Sequence, residues 1–347
     1  MGLFDKLTKK LEQLTAKNTN EKYNDSKYSI SINQSPEISQ VHTFKKRHIL
    51  DEGITIPQLI LLWWSDGRLV NSFSSFFQYD YHIEGSKEIK KLFELGYIRE
   101  ATPTESINKL KVPELKQILR DNSLPVSGNK PFLIERILEN IQEDIFETYQ
   151  KEKFYKVTES GKYLLEKYQN IIWGHENKIY GIIDAFTFEK HLTVDPSEYS
   201  ITILETTFLN SVREKDYYKI NNLLLEISNL KNGDIDALLQ RFCFEISGVS
   251  GSGEYLYIDW ENLNSQFLYL TEYIKIEINK HDISDFELVR KITKAWDICS
   301  KWLPVSLVSN STQATDLLFY CLNGDKENFY DLIIKLYNNV PQKYKYD

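Results

Sequence analysis

Cysteine is scarce in this chain: Cys243, Cys299 and Cys321 are the only three among 347 residues. They lie too far apart for a disulfide framework, and no C-x-x-C pair suggests a metal or redox site. A reducing cytoplasm is the expected setting. Long apolar runs are missing as well. The start, Met1-Gly2-Leu3-Phe4-Asp5-Lys6, has no stretch of signal-peptide length, and the longest run nearby, Leu59 to Trp64, is six residues. The expectation is a chain without a transmembrane segment that is not secreted. Positive charge is in deficit. Lys and Arg number 42 against 50 Asp and Glu, a net charge of −8, so no chain-wide basic field draws the protein onto nucleic acid. Any nucleic-acid binding must be local.

Apolar material is ample, at 41% hydrophobic and 13% aromatic residues with 27% charged, which excludes disorder as a description of the whole. The length suits about two or three domains. Residues 1–45 read as an N-terminal arm and linker. Leu3, Phe4, Leu7, Leu11 and Leu14 recur at helical spacing among Lys6, Lys9, Lys10 and Lys17, a short basic amphipathic helix that lies on a membrane surface or docks on its own protein. Lys6 stands where myristoylation of Gly2 would need Ser or Thr. Residues 17–40 are polar, rich in Asn and Ser, and lack periodicity.

Residues 46–106 read as mixed α/β. Ile56, Leu59, Ile60, Leu62 and Trp63 form one face, and Phe73, Phe76, Phe77, Tyr79 and Tyr81 follow as expected core. Ile89, Leu92, Phe93 and Leu95 give an amphipathic helix stopped by Gly96. In 144–180, Phe154 to Thr158 reads as a strand, with Thr158 capping a helix through Tyr168. The helix ending at Leu95-Gly96-Tyr97-Ile98 and the strand entering Val157-Thr158-x-x-Gly161-x-x-Leu164-Leu165 resemble the two outer pieces of a winged-helix domain. Residues 181–347 are a string of helical patterns, at 198–210, 214–230, 233–246, 260–279, 284–302, 313–322 and 326–338, broken at Asn232-Gly233, Gly248 to Gly253, Pro304 and Asn323-Gly324. The fold class is therefore mostly α with a minor β component. Trp260, Trp296 and Trp302 are the expected core anchors of its helical C-terminal domain.

Residues 107–143 form the most informative stretch. Pro113 suits a first helical turn, and Leu115, Ile118 and Leu119 give that helix an apolar stripe. Leu124-Pro125-Val126 is extended, Ser127-Gly128-Asn129 turns, and a second helix opens at Lys130-Pro131 with the stripe Leu133, Ile134, Ile137, Leu138 and Ile141. This pattern resembles the SAP domain, a two-helix module of chromatin-associated, DNA-repair and some bacterial and phage proteins. The resemblance is carried by Leu110, Val112-Pro113, Leu115-Lys116, Leu119, Leu124, Val126, Ser127-Gly128, Lys130, Leu133-Ile134 and Arg136-Ile137-Leu138. It departs from the usual pattern at Ser123, where a glycine normally ends the first helix.

The resemblance implies binding of double-stranded DNA with low sequence specificity, or with a preference for A·T-rich tracts. Local charge agrees, since Lys109, Lys111, Lys116, Arg120, Lys130 and Arg136 outnumber Glu114, Asp121, Glu135 and Glu139. The expected DNA-binding residues are Lys111, Lys116, Arg120, Ser127, Gly128, Lys130 and Arg136. Lys116 and Arg120 are four apart and share a helix face, while Gly128, Lys130 and the backbone NH groups at the second helix N-terminus suit a phosphate. The alternative is a packing or protein-binding element. At fewer than about 40 residues such a module needs outside support, expected from 85–106 and 144–170.

No enzyme chemistry is expected, and no cofactor or metal. His175-Glu176 begins like H-E-x-x-H, but Ile179 replaces the second ligand, and the six histidines are scattered. The glycine-rich run 248–253 lacks the Gly-Lys-Ser/Thr ending of a phosphate-binding loop. Asp80, Glu88 and Lys90 offer a third reading, a metal-dependent nuclease. The leading expectation is a cytoplasmic DNA-binding protein whose segment 181–347 binds a partner or a second copy. A protein-interaction scaffold is the runner-up. The abundance of Ile, Asn, Lys and Tyr hints at an A·T-rich bacterial or viral genome.

Overall fold

The structure is a computed structural model that describes residues 49–179, 181–259 and 263–345. The N-terminal arm expected at 1–45 lies outside the described residues, as does Trp260. The architecture is helical with one small sheet, and the chain divides into two compact units after Pro196.

The first unit is organised on helix α1 (Ile56–Ser65). Thr55 caps it: Gln58 N donates to Thr55 Oγ1, and Thr55 N donates to Gln58 Oε1 at 2.8 Å, with Pro57 in the first turn. Ile56, Leu59, Ile60, Leu61 and Leu62 are all 0% exposed. A helix apolar on every side must be surrounded. Helices α3 (Gly85–Glu94), α8 (Glu159–Lys167) and α9 (Gln169–Glu176) and strand β2 (Tyr155–Val157) all pack on α1. Between α1 and α3 lies the short helix α2 (Phe76–Tyr79). Of the aromatic run there, Phe77 is buried as expected, but Tyr79 is 69% exposed at the end of a single helical turn.

Strand β1 (Ile98–Glu100) pairs antiparallel with β2, Ile98 opposite Val157 and Glu100 opposite Tyr155. The other edge of β2 is taken by residues 67–70. Tyr155 N donates to Arg68 O at 2.8 Å, and Gly67 N donates to Tyr155 O at 2.9 Å. Residues 101–154 are inserted between the paired strands. Gly161 fixes how β1 meets α8. A Cβ there would stand 2.3 Å from Tyr97 O, so only glycine admits the contact. Thr158 caps α8 by accepting from Gly161 N at 3.2 Å.

Residues 181–196 belong to the first unit, not to the helical unit in which the composition places them. Asn170 Nδ2 donates to His191 O and Val194 O at 2.9 and 2.8 Å. The 3-10 turn Ala185–Phe188 packs on α9, where Gly174 leaves room for Asp184 O.

The second unit is the expected run of helices: α10 (Pro196–Glu214), α11 (Tyr217–Leu230), α12 (Ile235–Ile246), α13 (Leu263–His281), α14 (Asp285–Cys299), α15 (Ser311–Asn323) and α16 (Lys326–Asn339). Helix α12 is central, packed by α11, α13, α14 and α15. Leu239, Phe242 and Cys243 on it are 0% exposed. All three thiols are free and buried. Burial raises the Cys243 pKa well above the usual thiol range, with Cys299 beside it adding to the shift. Trp296 is buried, and the Trp302 ring stacks on Phe244 at 5.8 Å. No helix among the described residues is long and apolar enough to cross a membrane.

At the root of the insertion, Arg99 on β1 holds Glu105 through two bonds of 2.7 Å. Glu105 lies in the short helix α4 (Pro103–Ser106) and also accepts from Thr102 N. The Arg99 guanidinium, helped by that amide, pulls the Glu105 carboxyl down to about 2. The folded value lies below the unfolded one. The stabilisation is therefore complete above about pH 4.5 and is lost as pH falls through about 2. Because both side chains are partly exposed, its size is only about 0.5–1 kcal/mol. Glu105→Gln is expected to unfold at lower urea than the parent protein at pH 7, with the gap closing as pH falls from 4.5 towards 2. A gap independent of pH would contradict this origin.

Candidate nucleic-acid interface

The inserted segment folds around its own core. Helix α5 (Val112–Asp121) and helix α6 (Lys130–Asn140) pack on each other. Leu115, Ile118, Leu119, Leu133 and Ile137 between them are 0% exposed. Ile107, Leu110, Ile141 and Phe146 complete the buried cluster, with Leu124, Val126, Ile134 and Tyr149 packed on it. Leu138 is 44% exposed, so the second stripe is narrower than its spacing suggests. Support comes from both flanks. Phe146 comes from helix α7 (Glu143–Glu147), which packs on α4, and Thr104 N donates to Glu143 Oε1 at 2.8 Å.

Ser123 takes the place usually held by glycine and adopts its conformation, with φ of +58°. Leu124 N donates to Leu119 O at 2.8 Å and Ser123 N to Arg120 O at 3.0 Å. These two bonds make a left-handed Schellman end, sealed by Leu124 against the core. The second turn is built on Gly128, whose φ of +119° disfavours any side chain. Asn129 then caps α6.

Residues 106–142, about a tenth of the chain, match the family model of the SAP domain. The protein carries a SAP domain. SAP domains are in general DNA-binding modules, which supports nucleic-acid binding. No curated protein and no solved structure matches the chain.

The cations of the SAP domain fall into two groups. On α5, Lys111 and Arg120 are exposed and Lys116 is half-buried. Lys111 opens the helix, its backbone N donating to Glu114 Oε2 at 2.5 Å, and Arg120 Nη1 donates to Gln117 Oε1 at 3.1 Å. Lys130 and Arg136 are half-buried and turned onto the module itself. Lys130 Nζ donates to Asn108 O at 2.6 Å. Arg136 Nη1 donates to Pro125 O and Ser127 O at 2.5 and 3.0 Å. Arg136 thus holds the turn that carries Ser127 and Gly128. Lys109 folds towards Gly67, where an added Cβ would stand 3.0 Å from its Nζ. None of Lys111, Lys116, Arg120, Lys130 and Arg136 is in an ion pair among the described residues; the pairs of the first unit fall elsewhere, as in Lys153–Glu100 and Lys167–Glu52.

The α6 N-terminus is largely closed by its own chain. Phe132 N donates to Asn129 Oδ1 at 3.3 Å, Leu133 N to Asn129 O at 3.1 Å, and Pro131 has no NH to offer. The phosphate position expected there therefore rests on the Lys130 charge and the exposed Ser127–Gly128 turn more than on free helix amides. Phe132 itself, 58% exposed, is a surface feature that periodicity alone does not flag.

Elsewhere, the nuclease triplet is engaged separately. Asp80 pairs with Lys178 at 3.1 Å, while Glu88 Oε2 accepts from Gln58 Nε2 at 2.5 Å. His175 is a core histidine. Its Nδ1 lies 2.7 Å from Tyr81 Oη, the Trp63 and Phe76 rings pack on it, and burial lowers its pKa. No group of three or more His, Cys, Asp or Glu among the described residues is placed to hold a metal ion.

A left-handed serine costs about 1 kcal/mol or more relative to glycine, partly offset by glycine's greater entropy loss. Ser123→Gly is therefore expected to stabilise the SAP domain by about 0.5–1 kcal/mol, seen as slower hydrogen exchange of the amides of α5 and α6. Faster exchange would mean that the Ser123 hydroxyl does something the backbone geometry does not show.

Proposed function

We propose that the chain attaches to double-stranded DNA through its SAP domain, with Lys111, Lys116 and Arg120 contacting phosphates. The observation that carries this reading is the α5 set. Lys111 at the N-cap and Lys116 and Arg120 on the short helix behind it form no side-chain ion pair among the described residues, in a chain of net charge −8. Lys130 and Arg136 brace the module through Asn108 O, Pro125 O and Ser127 O, and their remaining N–H groups are left for a ligand. Contacts of this kind position a protein on a duplex and read little sequence.

The reading is of a binding protein, not an enzyme, in a cytoplasmic setting that is bacterial or viral. The separate engagement of Asp80 and Glu88 weighs against a nuclease. The helical unit supplies the second half of the proposal, contact with a protein partner or a second copy. It exposes Tyr269, Tyr273 and Ile276 along one side of α13, and Phe286 at the start of α14 is 83% exposed. Sedimentation of the full chain tests the second-copy version, since association weakened by Phe286→Ser supports it and a monomer at every concentration excludes it.

The DNA reading is tested by salt titration. Three phosphate contacts give a slope of about −3 in log K against log salt. The variant Lys111→Ala/Lys116→Ala/Arg120→Ala is expected to flatten that slope by about 2–3 and to lose most duplex binding at low salt. Equal retention of DNA by both proteins, or by neither, would sink the proposal.

A further inference from the structure

The ring of Phe132 has no evident task in folding. Leu133, Ile137 and Ile141 face the SAP core, whereas Phe132, in the first turn of α6, is 58% exposed. No second aromatic ring stacks on it among the described residues. A polar residue would fill this position without disturbing the buried cluster. The root of its side chain rests against the exposed turn, where a Cβ built on Gly128 would lie 3.3 Å from Phe132 Cβ. Arg136 is one helical turn further on, on the same face, with its guanidinium on Pro125 O and Ser127 O. Lys130 is two residues before it. A large apolar ring therefore stands on a rim with a cation on either side along the chain.

That bracketing favours one class of partner. Protein interfaces pair aromatic anchors with arginine but deplete lysine from the centre, so it is Lys130 near the ring that counts against a protein partner. A nucleic acid asks for the reverse, cations at the phosphates with a flat apolar side chain between them to meet the bases. We propose that Phe132 wedges into a base step of the bound duplex, so that the SAP domain favours steps that are already loosely stacked. The inference rests on the DNA reading above and adds to it a structural preference that phosphate contacts alone would not create. Insertion must unstack a base step, and a mismatched step has less stacking to lose.

The test uses the full chain and two short fluorescent duplexes, identical except for one central T·T mismatch, with affinities read by anisotropy across a salt series. The parent protein is expected to bind the mismatched duplex about five- to tenfold more tightly. Phe132→Ala is expected to bind both duplexes alike, with the salt slope of the parent. Phe132→Tyr, which keeps a stacking ring, is expected to retain the preference. If the parent binds both duplexes equally, or if Phe132→Ala keeps the preference, the wedge is overturned and the phosphate-contact reading stands. If the parent binds neither duplex at low salt, the DNA reading fails and the wedge fails with it.

Discussion

The pairing of β1 with β2 is the constraint on which the SAP domain depends. Ile98 opposite Val157 and Glu100 opposite Tyr155 bring together the two ends of the segment 101–154. Two helices of 10 and 11 residues bury too little apolar surface to be stable without outside support. The strands remove much of the chain entropy that closing such a segment would otherwise cost. The flanks then enlarge the core, Ile107 and Leu110 from one side and Phe146 and Tyr149 from the other. The Arg99–Glu105 pair ties the first flank to β1. The module is held at both ends by paired strands rather than hung on a linker.

Electrostatics then decides how such a module can work in an acidic chain. At physiological salt the Debye length is about 8 Å, so exposed carboxylates farther away than that are largely screened. The net charge of −8 therefore governs long-range attraction, and the few cations at contact distance govern what happens at a phosphate. Lys130 and Arg136 have part of their donor capacity on backbone carbonyls, which leaves the α5 side with the larger share of unengaged donors. On the proposed DNA reading, a small set of donors implies binding that is weak, with a salt slope of only about −3 in log K against log salt. Such a domain is suited to local attachment once the protein is near DNA, not to recruitment from a distance.

Much of this architecture is legible in the sequence because its signals are local. Thr158 announces a helix start, Gly96 announces a stop, and the stripe of Leu115, Ile118 and Leu119 announces a face. The misread features depend on contacts remote in sequence. Composition assigns 181–196 to the helical unit, but Asn170 reaches across to His191 O and Val194 O and keeps it with the first. Tyr79 belongs to an aromatic run and is nevertheless exposed, because α2 is too short to turn it inwards. The sequence marks Lys130 and Arg136 as phosphate ligands but does not show that each also donates to backbone carbonyls, 22 and 9–11 residues away. Ser123 is the instructive middle case. Its identity argues against a left-handed helix end, but the neighbours Leu119 and Leu124 impose one.

These misreadings share a physical root that also bears on function. A lysine or arginine near a loop has two uses, as a charge for a ligand and as a donor to nearby backbone carbonyls, and one side chain can serve both because it carries several N–H groups. The turn at 125–128 has Pro125, which donates nothing, and Gly128, which has no side chain to offer. Arg136 donates to two carbonyls of this exposed turn. Its charge remains, and what it loses is freedom of direction. The turn gains rigidity at the one place where Gly128, Lys130 and Phe132 meet. A fixed rim can present a ring and a charge together at little entropic cost on binding, which is why the same bonds that remove Arg136 as a flexible ligand strengthen the case for this edge as the contact surface.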